Sequence, residues 1–388
     1  MTPLGKSPAP LRVGVDAGPL LGEGGISEYV RPLLRALLLL DPETDYRLIL
    51  RSGWRPRAKP AAPNEMGPVT RVRLPDRLIA FWWDRLGWTL PVHRTLWRSL
   101  DLFLATCLVV PVLPRGEVVS IVYDLTPLRL PAMFPDRERV RRRMIRLLAR
   151  SRAVVAISHR TRQDLLELLD ADPARVHVVY PGRREGFRPT PPPARQATLA
   201  RLGIHDPYIL YVGSLGPHKN VSTLLRAYER IRHGGSTVKL LLVGSPRWGE
   251  ATLRLRDTLA CRDDIVVASP VAATDLPSLY SGAECFVFPS LYEGFGLPVL
   301  EAMACGAPVV VSDRGALPEV VGDAGIVASA EDPTAFADGI RRLLEDPTLR
   351  AGYARAALDR ADRFSWDRSA RCLRDLFTEV ATGGCEHA

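Results

Sequence analysis

The sequence predicts an α/β protein made of two doubly wound parallel-sheet domains, and three observations support this fold class. The chain has 388 residues, which is long for a single domain. Short apolar runs that suit buried strands alternate with longer helical segments, an order typical of parallel sheets with helices on both faces. A proline-rich segment, residues 189–194, separates two stretches that each show this alternation.

The first half of the chain supplies the predicted elements of a first domain, residues 1–188. Residues 11–16 are a short apolar run typical of a buried strand, and a glycine-rich loop at 22–27 follows them. The apolar segment 29–40 is predicted to be a helix that ends before Asp41 and Pro42. Ser158 is predicted to cap a helix that runs to residue 169. The remaining predicted strands of this half are 46–50, 118–123, 153–157 and 176–180.

The second half repeats the alternation and predicts a second domain at residues 195–363. Its predicted strands are 208–212, 239–243, 265–268, 285–289 and 308–312. Its predicted helices include 223–232, 332–345 and 348–362. Ser365 stands in a good N-cap position for a last helix within residues 364–388. Three consecutive prolines predict that the connector 189–194 is stiff and extended.

Composition describes an ordinary globular protein and excludes several classes. Hydrophobic residues make up 46% and charged residues 24% of the chain, which is usual for a folded domain protein. No run approaches the roughly 18 apolar residues of a membrane-spanning helix, and the N-terminus lacks the apolar core of a signal peptide. Six cysteines are scattered without the spacing of a zinc site. We therefore expect a cytoplasmic protein with reduced thiols.

Much of the net charge of +9 is concentrated in an arginine-rich segment, residues 137–152. One interpretation is a patch for anionic lipid or an anionic carrier substrate at the inner face of the plasma membrane. The other, which we favour, is the solvated face of an amphipathic helix. A tryptophan cluster at residues 82–97, with interleaved arginines, keeps the membrane interpretation open. No recognition-helix pattern accompanies the patch, so nucleic acid is not expected as a partner.

The segment 288–313 carries the most informative motif. Glu293 and Glu301 are separated by seven residues, and Gly294 and Gly296 follow the first carboxylate. A loop that leads into a helix presents free N–H groups that suit phosphate. Two turns of helix place the two carboxylates on about the same side. The segment therefore predicts one carboxylate for sugar hydroxyls, one for a ribose, and amides between them for a diphosphate.

This segment resembles the paired-glutamate signature of retaining glycosyltransferases of family 4, which have the two-domain GT-B fold. The continuation through residues 306–313 and from Gly315 to Gly322 is also similar to the family. The resemblance covers most of the chain and is strongest over residues 208–325. It implies two Rossmann-like domains that face a cleft, the first binding the acceptor and the second the nucleotide sugar. It also implies that the last helix, within 364–388, crosses back to the first domain.

A lysine-containing loop resembles a second motif of the family. Lys219 follows a predicted strand and precedes a helix, where its ammonium can act as a point charge on phosphate. By resemblance, Gly213, Ser214, His218 and Lys219 all contact the donor. Many family members have an arginine at the position of Ser214. The candidate for a second cation is therefore His218 in its protonated form.

The resemblance also assigns roles within the segment 288–313. It implies that Glu293 contacts the donor sugar and stabilises the developing cation, and that Glu301 accepts hydrogen bonds from ribose hydroxyls. The alternatives are a helix-capping carboxylate for Glu293 and a solvated helix carboxylate for Glu301. The backbone N–H groups expected at the diphosphate belong to Gly294, Phe295, Gly296 and Leu297.

Two elements of the first half complete the predicted site. Gly24 and Gly25 follow the first strand, where glycine permits close approach to a ligand, and by resemblance they face the diphosphate and the acceptor. A plain turn is the alternative for these glycines. Tyr123 and Asp124 stand where similar proteins have a His-Asp pair, so both are candidates for contact with the reacting sugar. Strand-end packing is the alternative for both side chains.

The predicted function is that of a retaining, metal-independent glycosyltransferase, which moves a hexose from a nucleotide sugar to a lipid-linked or oligosaccharide acceptor. By resemblance the donor is GDP-mannose and the product belongs to cell-surface polysaccharide synthesis. No Asp-x-Asp pair is placed to hold a metal–diphosphate, so no metal or other cofactor is expected. Two alternatives stay open, a non-catalytic sugar-nucleotide-binding protein and a nicotinamide oxidoreductase. The absence of a Gly-x-Gly-x-x-Gly fingerprint disfavours the oxidoreductase.

Overall fold

The protein contains two parallel β-sheets, each covered by helices. A computed structural model describes residues 10–22, 24–51, 69–72, 98–108, 110, 113, 116–245, 249–268 and 270–383. Within these residues the first sheet has seven strands and the second has six. The predicted α/β class with two parallel-sheet units is confirmed.

The first sheet is built from the first half of the chain, in the order β3-β2-β1-β4-β5-β6-β7. All neighbouring strands in it are parallel. Its strands are β1 Arg12–Asp16, β2 Asp45–Arg51, β3 Val69–Val72, β4 Leu102–Ala105, β5 Glu117–Val122, β6 Ala153–Ala156 and β7 Val176–Val178. The strands β3 and β4 were not predicted. The strand β3 begins at the end of a stretch rich in proline and basic residues, which is typical of a loop. The strand β4 is nevertheless fully buried between β1 and β5.

The second sheet follows the same plan, in the order β10-β9-β8-β11-β12-β13. Its strands are β8 Tyr208–Val212, β9 Lys239–Val243, β10 Ile265–Ala268, β11 Cys285–Phe288, β12 Val309–Ser312 and β13 Ile326–Ala328. In both sheets the strand order reverses once, between β1 and β4 and between β8 and β11. Crevices outside the carboxyl ends of strands at such reversals are the usual ligand sites of open α/β sheets.

Helices cover both sheets. Those of the first half are α1 Gly25–Leu40, α2 Thr126–Arg129, α3 Arg137–Arg150 and α4 His159–Leu169. Those of the second half are α5 Pro192–Arg201, α6 Val221–His233, α7 Glu250–Thr258, α8 Leu276–Gly282, α9 Leu297–Ala304, α10 Leu317–Val321, α11 Pro333–Glu345, α12 Pro347–Ala361 and α13 Trp366–Ala381. Ser158 caps α4 and Ser365 caps α13, as predicted, each accepting a hydrogen bond from a backbone N–H of the first turn. In the part of the chain that is described, no helix is both long and apolar enough to cross a bilayer.

The predicted connector 189–194 differs from the structure in its second half. The helix α5 begins at Pro192, so the last three residues of the segment are helical rather than extended. Proline has a fixed φ and no N–H group to leave unpaired, and both properties suit the first turn of a helix. The run of prolines therefore forms the start of the helix α5, whereas an extended connector between the domains was predicted.

The arginine-rich segment forms the amphipathic helix α3. Met144 and Leu147 are buried, while Ile145 and most arginines of the helix are at least partly exposed. The five cysteines within the described residues form no disulfide. Of the tryptophan cluster and its arginines, residues 82–97 lie outside the described residues.

The C-terminal helix α13 packs against α1 of the first domain. The Trp366 ring meets the edge of Tyr29 on α1, with 5.3 Å between ring centroids. A side chain at Gly182 would collide with the backbone of Trp366, so glycine is needed where the chain leaves the first sheet. The last helix therefore joins the second half of the chain to the first.

Glu319 on α10 makes direct hydrogen bonds to the first domain. Its carboxylate accepts hydrogen bonds from the backbone N–H of His159 at 2.8 Å and of Arg160 at 3.0 Å. It also accepts one from the Tyr180 hydroxyl at 2.6 Å. The first N–H groups of a helix have no partner within it, and here a carboxylate from the other domain supplies the acceptor at the positive end of α4.

A second connection between the domains joins Tyr292 to Asp164 on α4. The Tyr292 hydroxyl donates a hydrogen bond to Asp164, whose side chain is fully buried. Arg129 and Arg160 both form ion pairs with the same carboxylate. Tyr292 directly precedes Glu293, so this contact fixes the start of the glutamate motif against the first domain.

We expect Glu319→Ala to release the start of α4. Charge-assisted hydrogen bonds contribute roughly 1.5–3 kcal/mol, so the amides of His159 and Arg160 should exchange with solvent about tenfold faster or more. Hydrogen exchange followed by mass spectrometry or NMR measures this rate. Glu331→Ala is the matched control, because Glu331 is exposed and pairs with Arg314. Unchanged protection at α4 in the Glu319 variant would contradict the interdomain capping.

Candidate active site

The lysine loop is fastened to the end of β11 by Asn220. Lys219 closes a short 3₁₀ turn after β8, and Asn220 follows it in the left-handed conformation with φ of 55°. The Asn220 amide donates hydrogen bonds to the carbonyl oxygens of Pro289 at 3.0 Å and of Ala330 at 2.8 Å. The backbone next to Lys219 is thereby held against the loops that follow β11 and β13.

Lys219 and Glu293 form an ion pair at the point where the second sheet reverses its order. The Lys219 Nζ lies 2.6 Å from the Glu293 Oε1, and the side chains are only 18% and 15% exposed. The ammonium also lies 5.5 Å from the centre of the Phe288 ring. The structure thus brings together the cation of the lysine loop and the first glutamate of the motif. No helix is capped by Glu293, since the N-cap of α9 is Gly296.

The loop after β12 holds the backbone of Glu293. Ala316 donates its N–H to the Glu293 carbonyl at 2.9 Å. Gly315 has φ of 61°, and a side chain there would collide with the Glu293 backbone. Position 315 therefore requires glycine for two reasons, the positive φ and the lack of space for a side chain beside Glu293. Gly315 belongs to the segment that resembles the family, but its contact with Glu293 was not predicted.

Asp124 brings the first domain into the same region. It follows β5, and its Oδ1 accepts a hydrogen bond from the Thr126 N–H at 2.9 Å. The charges of Asp124 and Glu293 both act on His218. The Cβ of Asp124 lies against Gly294, so the end of β5 reaches the residue that follows Glu293.

The surroundings of His218 disfavour the second positive charge that the sequence suggested. Burial, followed by the neighbouring Lys219 ammonium, lowers the pKa of His218 below its usual 6.5. Glu293 and Asp124 act in the opposite direction but are smaller influences. The imidazole is therefore neutral near pH 7. It stays a candidate for hydrogen bonding rather than for charge.

Gly294 and Phe295 lie in the contact between the domains. A side chain at Gly294 would collide with the Tyr123 carbonyl, and Thr161 donates its hydroxyl to the Gly294 carbonyl at 3.3 Å. The Phe295 ring packs on Tyr180 and on Phe364, with centroids 6.1 and 5.4 Å apart. The sequence assigned their backbone N–H groups to a diphosphate, and the structure adds this packing role.

Gly296 and Leu297 form the start of α9. Gly296 is the N-cap, with φ of 99°, and Leu297 is the first helical residue. In this turn Pro298 has no N–H group, and Val299 and Leu300 donate theirs to the Gly296 carbonyl at 2.9 and 3.3 Å. The N–H groups of the helix start that suit an anion are therefore those of Gly296 and Leu297. Two further predicted residues follow β8. The backbone of Gly213 lies so close to Gly244 that Gly244 has no room for a side chain. The carbonyl oxygen of Ser214 accepts a hydrogen bond from the Tyr211 hydroxyl at 2.7 Å.

Glu301 is a buried carboxyl group on α9, only 8% exposed, so the solvated alternative is wrong. The Tyr280 hydroxyl donates to its Oε2 at 3.2 Å, and the Arg184 guanidinium lies 3.6 Å from its Oε1. Burial raises the pKa of Glu301 from 4.5 to about 7, while Arg184 lowers it and Glu28 raises it. The carboxyl is therefore partly protonated near neutral pH.

The glycine loop of the first domain is shorter than predicted, since α1 begins at Gly25 rather than near residue 29. Gly24 is its N-cap, with φ of 121°, and open space surrounds the Cβ positions of both Gly24 and Gly25. The first turn of α1 contains Glu28, which pairs with Arg184 at 2.7 Å. The glycine loop is thus linked through Glu28 and Arg184 to Glu301.

Tyr123 occupies the strand-end packing that was its alternative role. Its hydroxyl donates to the Thr106 carbonyl at 3.1 Å, and its ring meets the edge of Tyr29 with centroids 5.3 Å apart. Burial raises the pKa of this phenol well above its usual value. A phenol can donate one hydrogen bond, and here the Thr106 carbonyl oxygen accepts it.

Sequence reasoning missed Arg184, Glu28 and Tyr280, which surround Glu301. Arg184 follows the last strand of the first sheet in no recognisable motif, so no local signal marked it. Tyr292 and Glu319 stand inside segments that the resemblance covered. For Glu319 the available signal was a charged side chain within the apolar run 316–321. Among the described residues, no group of three or more His, Cys, Asp or Glu side chains is arranged to hold a metal ion.

Comparisons with known proteins agree with this architecture. The family described as "Glycosyl transferases group 1" matches residues 197–360. The chain is 33% identical over 261 residues to the O-antigen chain mannosyltransferase B of Escherichia coli, covering 65% of this chain and 67% of that protein. It is 31% identical over 393 residues to the D-inositol 3-phosphate glycosyltransferase of Xylanimonas cellulosilytica, covering 92% of each.

Solved structures show the same fold. The HepE protein of Anabaena, in complex with UDP and glucose, superposes with a TM-score of 0.73 at 17% identity. The superposition covers 95% of this chain and all of HepE. At this identity the likeness concerns the fold.

We expect Glu301→Gln to stabilise the protein at alkaline pH. The pKa of Glu301 is raised by folding, so its ionisation removes stability as pH rises from about 4.5 through about 7. At pH 8 the variant should gain roughly 3 kcal/mol by this linkage. Its melting temperature should therefore exceed that of the wild type by several degrees at pH 8, with the difference narrowing toward pH 5. Glu345→Gln, at an exposed site, is the control, and a pH-independent difference would refute the buried-charge explanation.

We expect Gly294→Ala to separate the domains, because the added methyl group would collide with the Tyr123 carbonyl. Small-angle X-ray scattering should show a larger radius of gyration than in the wild type. Gly352→Ala is a matched control, since its Cβ would meet nothing within 4 Å. An unchanged scattering profile for Gly294→Ala would show that the loop and β5 are not in direct contact in solution.

Proposed function

This chain belongs to the group 1 glycosyl transferases and has the GT-B fold, and we propose that it transfers a hexose, with retention of configuration, from a nucleotide sugar to a glycan acceptor. The observation that carries the proposal is the Lys219–Glu293 pair at the crevice of the second sheet. Asp124 of the first domain lies against Gly294, the residue that follows Glu293. Donor and acceptor would then meet between the two domains.

The charges and amides of the cleft suit the departure of a nucleoside diphosphate. The leaving group carries about two negative charges, so fixed positive charge and N–H donors are needed at its position to stabilise it. Lys219 supplies the charge, and the backbone N–H groups from Gly294 to Leu297, at the start of α9, supply the amides. Glu301 accepts hydrogen bonds from the ribose hydroxyls in this arrangement.

The proposed chemistry is a front-face substitution. The bond between the anomeric carbon and the diphosphate oxygen breaks, and the acceptor hydroxyl attacks from the same side. The leaving phosphate takes the acceptor proton, so no enzymic base is required, and in this proposal Lys219 rather than a metal offsets the charge of the diphosphate. Glu293 stabilises the cationic character that develops at the anomeric carbon, and Asp124 holds the sugar or the acceptor.

For the donor we propose GDP-mannose, with a lipid-linked oligosaccharide of cell-surface polysaccharide synthesis as acceptor. The likeness to a protein named O-antigen chain mannosyltransferase B supports this choice. The relative from Xylanimonas cellulosilytica is named instead for D-inositol 3-phosphate, and HepE was solved with UDP and glucose. A panel of nucleotides and acceptors therefore has to include these compounds.

We place the protein in the cytoplasm, at the inner face of the plasma membrane. A lipid-linked acceptor requires this position, and the arginines of α3 would attract anionic headgroups. The opposite face of the helix is anchored in the first domain by Met144 and Leu147, and Arg139, Arg141 and Arg142 lie on its exposed side.

The alternative is a non-catalytic sugar-nucleotide-binding protein. Two observations favour it: the Tyr123 hydroxyl is already bonded to Thr106, and His218 is neutral rather than cationic near pH 7. Both groups stand where the family resemblance led us to expect a group acting on the substrate. Such a protein would bind the donor without transferring or hydrolysing its sugar.

We expect Lys219→Ala and Glu293→Ala each to lower kcat/KM by about 10²-fold or more, because each removes charge stabilisation at the reacting bond. Donors are first ranked by thermal shift with GDP-mannose, UDP-glucose and other nucleotide sugars. Release of nucleoside diphosphate is then measured with the best donor. Lys239→Ala is the matched control, because Lys239 pairs with Asp264 at the opposite end of the sheet. A wild-type protein that binds a donor but never turns it over would establish the non-catalytic alternative.

A further inference from the structure

Arg184 joins two carboxylates that come from different domains. It lies in the segment between β7 and α5, and its Nη1 is 2.7 Å from the Oε2 of Glu28 on α1. The same nitrogen is 3.6 Å from the Oε1 of Glu301 on α9. A single guanidinium thus connects the helix that follows the glycine loop with the acid proposed to bind ribose.

The surroundings hold this guanidinium in place. Its Cζ lies 5.2 Å from the centre of the Phe187 ring, a cation–π distance. The Phe187 ring in turn packs on Tyr280, with centroids 6.0 Å apart. Tyr280 donates its hydroxyl to the other oxygen of Glu301. Each oxygen of the Glu301 carboxylate therefore has its own partner, Arg184 for Oε1 and Tyr280 for Oε2.

We infer that Arg184 is a positioning residue for nucleotide binding, which orients the Glu301 carboxylate toward the ribose and couples it to Glu28 at the start of α1. The inference rests on the proposed function, because it assigns the ribose of the donor to Glu301. Arg184 acts through Glu301 and does not itself contact the reacting atoms.

The charges around Glu301 make the inference testable through pH. The groups that face it are Arg184 from the connecting segment, Glu28 from α1, Tyr280 from α8 and Cys305 at the end of α9. The pKa of Glu301 is about 7, and a carboxylate accepts hydrogen bonds from ribose hydroxyls better than a carboxylic acid does. Nucleotide affinity should therefore rise as pH increases through neutrality.

Substitutions of Arg184 and of Glu28 should shift the pH dependence of nucleotide affinity in opposite directions. Removing the guanidinium removes the largest influence that lowers the pKa of Glu301, so in Arg184→Gln the rise in affinity should move to higher pH. Removing the Glu28 charge removes a neighbour that raises this pKa. In Glu28→Gln the rise should therefore move to lower pH. A merely structural role for Arg184 would not produce this pair of opposite shifts.

The experiment measures the binding of GDP, UDP and inorganic pyrophosphate by calorimetry from pH 6 to pH 8.5. For Arg184→Gln at pH 7, we expect the Kd of the better nucleotide to rise about tenfold, which corresponds to about 1.4 kcal/mol. The Kd of pyrophosphate should stay within about twofold of the wild type, because pyrophosphate lacks a ribose. Arg184→Lys should recover part of the loss by restoring the charge.

Arg183→Gln is the matched control, since the neighbouring Arg183 pairs with Asp362 at 3.0 Å, outside this cluster. Its melting temperature and nucleotide affinity give the effect of losing a partly exposed arginine from the same segment. Equal losses for GDP and pyrophosphate in Arg184→Gln, or an unmoved pH profile, would overturn the inference while leaving the proposed function intact. If the wild type bound neither nucleotide, the proposed function would fall, and the inference with it.

Discussion

The ion pair between Lys219 and Glu293 is the interaction on which the rest of the cleft depends. Both side chains are mostly removed from water, and a buried charge without a partner is strongly destabilising. Each group therefore holds the other in the crevice, and the loops after β8, β11 and β13 must meet closely enough to allow it. Asn220 and Gly315 provide that closeness, one through two amide hydrogen bonds and the other through the absence of a side chain.

The same residues that build the cleft also join the two domains. Gly294 follows Glu293 and contacts the end of β5, while Tyr292 precedes Glu293 and bonds to Asp164 on α4. Glu319, a few residues beyond Gly315, caps α4. Because binding groups and interdomain contacts alternate along one stretch of chain, any movement of one domain relative to the other must alter the geometry around Glu293.

Glu301 is a buried carboxyl group whose ionisation lowers the stability of the folded protein. Burial disfavours its charged form, so the folded protein carries a carboxyl group that is costly to ionise. Arg184 and Tyr280 offset part of this cost through charge and hydrogen bonding. A hydrogen-bond acceptor that is poorly solvated beforehand loses little water on binding a hydroxyl group, so the proposed ribose-binding role would give a physical reason for a buried acid at this position.

The sequence by itself determined the α/β class, most strands of both sheets and the positions of Lys219, Glu293 and Glu301, because these follow from local periodicity and from motifs within one short stretch of chain. The short strands β3, β4 and β13 and the helical start of the proline segment were not predicted from it. A run of three or four residues is a weak signal, and β10, of the same length, was recognised only between clear helices. The tertiary structure alone decided the neutral His218, the engaged Tyr123 hydroxyl and the bridge from Glu28 through Arg184 to Glu301. Burial and contacts between residues far apart in the chain set charge and orientation, and neither property is written in the local sequence.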